Sequence, residues 1–264
     1  MCRLKAIILL MMIFLIGMGC AHSPVKPHDP FKIDAQQFYS RVKTIALVPV
    51  RLPGDVPECD AVKAQLEASI EERLRQAGFN VIPSKAYRET EEKKAREGGG
   101  YYDIKTGALD QEKFKSVEDQ TRKEMHATLR TDAFLYGAVR VVPARFMGGT
   151  VHWHGTQESI SKTGKQSEAN RTGVVGALSL GIWIDDHEEK DLYAHWGGIQ
   201  LLSKIEDKGK ILASLRFSPI PEEEILSDKA RNENAVGIAL APLLYQMQLQ
   251  ESPESSKAPT PKKP

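Results

Sequence analysis

The fold is decided by residues 44–83, which have the sequence TIALVPVRLPGDVPECDAVKAQLEASIEERLRQAGFNVIP. Thr44–Val50 is a short run of apolar and β-branched residues that ends at a proline and a turn, which is typical of a strand buried on both faces. The segment that follows is an amphipathic helix, because apolar side chains recur at every fourth position: Val62, Leu66, Ile70 and Leu74.

Both ends of this helix are marked in the sequence. Asp60 is placed to cap the first turn, and Gly78 is placed to end the last one. Phe79–Pro83 (FNVIP) then predicts a second strand. Residues 44–83 therefore predict a βαβ unit with two parallel strands.

The next segment predicts a loop followed by a helix. Residues 84–110 are charged and contain three consecutive glycines at 98–100, which favour a surface loop. A phosphate-binding loop is not indicated, because no GKS or GKT follows these glycines. Helical spacing of apolar residues predicts a second long helix over residues 110–130.

From Ala133 the pattern becomes strand-like. One hairpin is predicted from residues 133–146 and 150–160, and another from 174–184 and 192–202 around the acidic turn 185–191. A short strand at 211–217 and a closing helix from Asn232 or Asn234, kinked or broken at Pro242, complete the chain. We therefore predict a single α/β (or α+β) domain, in which about three helices pack on a mixed sheet.

The two ends of the chain predict a secretion signal and two flexible segments. Arg3 and Lys5 precede an apolar run over residues 6–16, and small residues lead to Cys20, so residues 1–19 are a predicted secretion signal. This segment resembles a bacterial lipoprotein signal, which implies that Cys20 becomes the acylated first residue. The proline-containing residues 20–40 are a predicted tether, residues 41–248 the domain, and residues 249–264 a disordered tail.

Charge and cysteine content exclude several functions. Loss of Arg3 and Lys5 leaves 34 of the 36 basic residues against 35 acidic ones, a net charge near −1. Such a balance has no basic patch for nucleic acid, so no nucleic-acid partner is predicted. After removal of Cys2 with the signal and acylation of Cys20, Cys59 is alone and cannot form an internal disulfide.

Two histidines are the main metal-ligand candidates. Strand geometry places His152 and His154 on one face about 7 Å apart, where His187 or His195 could add a third ligand. No cysteine pair, HExxH or nearby carboxylate completes a known motif, and a polar strand face is the competing interpretation. We therefore predict no bound metal and no cofactor.

The remaining candidates do not form a catalytic motif. The acidic residues within 185–191 lack the alternation of a calcium loop and predict a solvated hairpin tip. Trp153, Trp183 and Trp196 lie on the two hairpins and are either core anchors or the lining of a groove. The nucleophile elbow, phosphate-binding loop and dinucleotide fingerprint are absent, so an enzyme is not predicted.

The βαβ unit also carries a resemblance. KTIALVPV, its helix and QAGFNVIPS are similar to the start of the globular domain in a group of bacterial envelope lipoproteins. That group includes peptidoglycan-synthase activators and curli-export lipoproteins. The resemblance implies a lipid-anchored protein of the bacterial envelope, at the periplasmic face of the outer membrane.

Three functions follow as expectations. The first is a non-enzymatic role in which the domain binds another envelope protein or a second copy of itself. The second is a part of an oligomeric secretion or transport apparatus, and the third is an enzyme of unrecognised class. A secretion apparatus would need an amphipathic hairpin with a continuous apolar face. In the first predicted hairpin that face is interrupted by four polar residues and a proline: Arg140, Arg145, His152, His154 and Pro143.

Overall fold

The computed structural model describes residues 29–53, 60–103, 106–147, 149–159, 172–206, 216–221 and 224–251. Its helices are α1 (Ala35–Arg41), α2 (Asp60–Gln76), α3 (Ser84–Glu97), α4 (Gln111–Leu129) and α5 (Lys229–Glu251). Its strands are β1 (Thr44–Leu47), β2 (Asn80–Ile82), β3 (Ala133–Met147), β4 (Thr150–Trp153), β5 (Thr156–Ser159), β6 (Thr172–Asp186), β7 (Asp191–Leu201), β8 (Ser203–Glu206) and β9 (Arg216–Pro219). Within these described ranges, no helix has the length and apolar character that crossing a membrane requires.

The predicted mixed sheet is confirmed, and it has seven strands. β1 is parallel to β2 and to β3, and the chain then turns antiparallel through β6 and β7. The long β3 pairs with β6 over its whole length, whereas its other edge pairs first with β1 and then with β4. The predicted βαβ unit and both hairpins are confirmed, but the strand predicted over residues 150–160 is divided into β4 and β5, which pair with each other.

The alternation of β3 explains the two layers of helices. Leu135 belongs to the first face of the sheet, where α1, α2 and α5 pack to form the main core. Phe134 and Tyr136 belong to the second face, where they pack with Tyr87 of α3 and Met125 of α4. Further along β3 the second face is covered by the β4–β5 hairpin, which encloses a small core around Trp153.

The domain begins earlier than the predicted boundary at residue 41. Asp34 caps α1 through its carboxylate, and Phe38 of that helix is fully buried in the main core. Just before it, the backbone at Phe31 pairs with Tyr193 at the edge of β7. Residues 30–40, predicted as part of a flexible tether, are therefore packed against the sheet.

Helix α3 occupies part of the predicted loop, and the described chain has five helices where about three were expected. Its sequence, SKAYRETEEKKARE, contains few apolar residues, and its buried positions are Ser84, Tyr87 and Ala95. The amphipathic pattern is consequently weak. The glycines at 98–100 form the turn that follows this helix, and the last two have positive φ.

The last helix is longer than predicted. It begins at Lys229, runs through Pro242 and includes residues 249–251, which the sequence assigned to the tail. The predicted strand at 211–217 lies mostly outside the described residues, and β9 begins at Arg216.

Candidate functional site

An aromatic strip, formed by Arg140, His154, Trp183 and Trp196, lies on the second face of the sheet. It extends from Tyr136 to the turn between β4 and β5, which contributes His154. Arg140 and His154 are exposed, and the two tryptophans are half-buried.

The side chains of the strip stack in a row. The Trp183 ring is parallel to that of Tyr136, with centroids 5.7 Å apart and 5° between the planes. The guanidinium carbon of Arg140 lies 5.6 Å from the Trp183 ring and 5.7 Å from the Trp196 ring. The His154 ring follows, 5.5 Å from Trp196. Arg140 is thus held by cation–π contacts with two indoles.

A glycine and a serine make room for this arrangement. A Cβ on Gly181 would lie 2.6 Å from the Trp196 ring, so only glycine lets the indole lie against β6. The buried Ser179 hydroxyl is 2.8 Å from Nδ1 of His154. Partial desolvation by its neighbours lowers the pKa of His154, which favours the neutral imidazole.

The row ends at a buried arginine. Arg122 of α4 is 4% exposed, donates to the Tyr136 hydroxyl at 2.9 Å and to the Asp186 carbonyl, and stacks over Phe134. Its Nε atom has no hydrogen-bond partner among the described residues. Arg122 therefore joins α4 to β3 and β6 beneath the strip.

Asp185 lies beside Arg122 and is half-buried. Burial raises its pKa to about 6, and the neighbouring Asp191 carboxylate adds to the rise. Asp186 is 4% exposed, and its carboxylate accepts from the backbone N–H groups of Glu188 and Lys190. The predicted solvated tip is therefore correct for Glu188 and Glu189 but wrong for Asp185 and Asp186.

The histidines do not come together as the metal hypothesis requires. β4 ends at Trp153, so His154 lies in a turn with φ of 40° while His152 remains on the strand. His187 stacks on His126, with centroids 4.1 Å apart, and His195 is on β7 opposite Ile182. Among the described residues, no three His, Cys, Asp or Glu side chains are grouped to hold a metal ion.

The three tryptophans divide between the two predicted roles. Trp153 is a core anchor, 6% exposed, whose indole N–H donates to the Leu178 carbonyl at 3.2 Å. Trp183 and Trp196 are the surface pair. Their common face could not be deduced from spacing alone, because β7 has register shifts against β6.

Both remaining cysteines, Cys20 and Cys59, lie outside the described residues, as does the whole predicted signal. The lipidation of Cys20 therefore stays a prediction.

No protein-family profile matches the chain, and no curated protein matches it. Among solved structures, lipoprotein GNA1162 from Neisseria meningitidis is similar at 18% identity and a TM-score of 0.30, over 59% of this chain and 81% of that one. A PelC dodecamer from Paraburkholderia phytofirmans is similar at 11% identity and a TM-score of 0.33, over 77% of this chain and 89% of that one. Likenesses this distant carry no inference about what the present chain binds or how it assembles.

Proposed function

We propose that this protein is a lipid-anchored component of the bacterial cell envelope that binds another envelope protein through the aromatic strip and catalyses no reaction. The lipid at Cys20 would hold it at a membrane, and we place it at the periplasmic face of the outer membrane. The observation that carries the binding role is the strip itself. Indole and guanidinium groups stand partly exposed there on a rigid sheet.

The chemistry of the strip suits a protein partner. Tryptophan, tyrosine and arginine are enriched among the residues that contribute most to protein–protein affinity, because they bury large areas and also donate hydrogen bonds. The stacking of Arg140 between two indoles fixes these groups before binding. A pre-ordered surface of this kind reduces the entropy lost on association.

The same geometry is poorly suited to catalysis. The raised pKa of Asp185 would allow proton transfer near neutral pH. However, the nearby Arg122 and Tyr136 are committed to structural hydrogen bonds. We therefore assign these groups to the support of the strip.

Photo-crosslinking in intact cells tests the binding role. The crosslinking residue p-benzoylphenylalanine replaces Trp196 in the strip or, as a matched control, Val174, which is exposed on the first face of the sheet. We expect a discrete crosslinked species from position 196 and none of the same mass from position 174. Equal products from both positions, or none from 196, would contradict the proposal.

The lipid anchor has its own test. Cells fed an alkyne-tagged palmitate should label the wild-type protein and leave the Cys20→Ser variant unlabelled, uncleaved and released from the outer-membrane fraction. A Cys59→Ser variant is the matched control and should behave as the wild type. Labelling that persists in Cys20→Ser would refute the anchor.

A further inference from the structure

A second candidate site, the β1 crevice, opens where β1 ends. It has a volume of about 410 Å³ and lies between the segment that follows β1 and helices α2 and α3. That segment continues beside β3, since the Arg51 N–H donates to the Gly137 carbonyl at 2.9 Å and the Val139 N–H donates to the Arg51 carbonyl at 2.8 Å. The crevice walls are therefore held by the sheet.

The crevice lies at a topological switch point, where successive connections of the sheet cross opposite faces. From β1 the chain crosses the first face through α2 to reach β2, and it then crosses the second face through α3 and α4 to reach β3 on the other side of β1. In open α/β sheets, ligands bind outside the carboxyl ends of strands at such a point.

A buried carboxylate fixes one wall of the crevice. The buried Glu67 carboxylate accepts from the Val50 N–H at 3.0 Å and from the Ser84 hydroxyl at the start of α3, and it pairs with Arg88 at 3.7 Å. Glu67 therefore ties the segment after β1 to the start of α3.

The crevice is lined by one carboxyl group, that of Glu91, and by two basic side chains, Arg51 and Lys63. On α3, the Tyr87 side chain is 2% exposed and lines the crevice. Next to it, burial raises the pKa of the Glu91 carboxyl, with a further rise from Glu118 and a compensating effect from Arg51. Arg51 is exposed at the rim.

Arg51 and Glu91 attract each other across the crevice, yet in the described structure they form no ion pair within 4 Å. The Glu91 oxygens and the Tyr87 hydroxyl are not among the buried polar atoms that lack a partner in the described residues, so these atoms open into the crevice. The ligand that satisfies both sides carries an ammonium group at one end and a carboxylate at the other.

We propose that the β1 crevice binds a free amino acid, with its ammonium group on Glu91 and Tyr87 and its carboxylate on Arg51. The ring of Phe114, which also lines the crevice, offers its face to the ligand. The volume lies within the range of small-molecule pockets, about 300–1,000 Å³. This site shares no residue with the aromatic strip and is independent of the function proposed above.

Isothermal titration calorimetry on the full-length protein in detergent micelles tests the proposal, with the twenty common L-amino acids and D-alanine as probes at up to about 10 mM. At least one should bind with a Kd between about 10 μM and 1 mM. Its N-acetyl derivative, which lacks the ammonium group, should not bind. Absence of binding by every probe would overturn the proposal.

Matched variants locate the binding. Glu91→Gln should weaken it at least about tenfold, whereas Glu92→Gln, a change at the exposed neighbour on the same helix, should leave it unchanged. Tyr87→Phe removes only the hydroxyl and should also weaken binding, which keeps the test valid if Glu91→Gln fails to fold. Binding that survives both changes would place the ligand elsewhere and overturn the proposal.

Discussion

The half-buried carboxyl of Asp185 gives a quantitative prediction about stability. Its pKa rises from 3.8 to about 6 in the folded protein. Burial is the largest cause of this rise, and the charge of Asp191 is the next largest. The folded state therefore holds this proton up to a higher pH than the unfolded state does. It follows that the free energy of unfolding falls as the pH rises from about 4 to about 6, and that the loss is complete above that window.

The magnitude follows from the same values. A rise from 3.8 to about 6 corresponds to about 3 kcal/mol. Because water reaches part of the side chain, screening reduces this to about 1 kcal/mol. Asp185→Asn removes the buried charge, so the variant should exceed the wild type in stability by about 1 kcal/mol at pH 8 and by little at pH 4.

Urea unfolding followed by circular dichroism measures this difference at the two pH values. Glu89→Gln, which removes an exposed carboxylate on α3, is the control and should show no such pH dependence. An Asp185→Asn protein that is less stable than the wild type at pH 8, or equally shifted at both pH values, would refute the reasoning.

Two further predictions concern the contacts of α5 with β7. A Cβ on Gly197 would lie 2.0 Å from the Ala235 carbonyl oxygen, so Gly197→Ala should cost about 3 kcal/mol in urea unfolding. Gly176→Ala, whose Cβ would meet its nearest neighbour at an ordinary 3.6 Å, should cost less than about 1 kcal/mol, and equal effects would contradict the close approach. The Tyr193 hydroxyl donates to a carbonyl of α5 at 2.7 Å, so Tyr193→Phe should lower the free energy of unfolding by about 1 kcal/mol, while Tyr245→Phe at an exposed position should not change it.

The strands of the fold were predictable because their sequence pattern and their burial agree. Thr44–Val50 is apolar throughout because β1 lies between two strands and under helices on both faces. The alternation in 174–184 likewise matches β6, where Leu178, Leu180 and Ile182 share the first face. The hairpin turns followed from glycines and charged residues at the expected places.

The helices at the edges of the domain were less predictable. α1 has only seven residues, and its burial depends on contacts with Tyr193 and Phe79, which are distant in the sequence. α3 has few apolar residues because most of its surface faces water. Tertiary packing, rather than local pattern, determines both elements.

The aromatic strip was only partly visible in the sequence. Trp183 and Trp196 were candidates for a groove, but Arg140 and His154 were noted for other reasons. They join the strip because His154 leaves the strand at a positive φ and a glycine at position 181 admits the Trp196 ring. The register of the strands decides which side chains are neighbours across the sheet, and a single sequence does not reveal that register.

The central claim is that the aromatic strip binds an envelope partner, and charge reversal in the crosslinking strain tests it most directly. With the crosslinking residue at position 196, Arg140→Glu should reduce the yield of the crosslinked species at least about tenfold. Arg145→Glu, on the same strand but facing away from the strip, should leave that yield unchanged. Equal yields from the two charge reversals, with both proteins folded and at wild-type levels, would contradict the account.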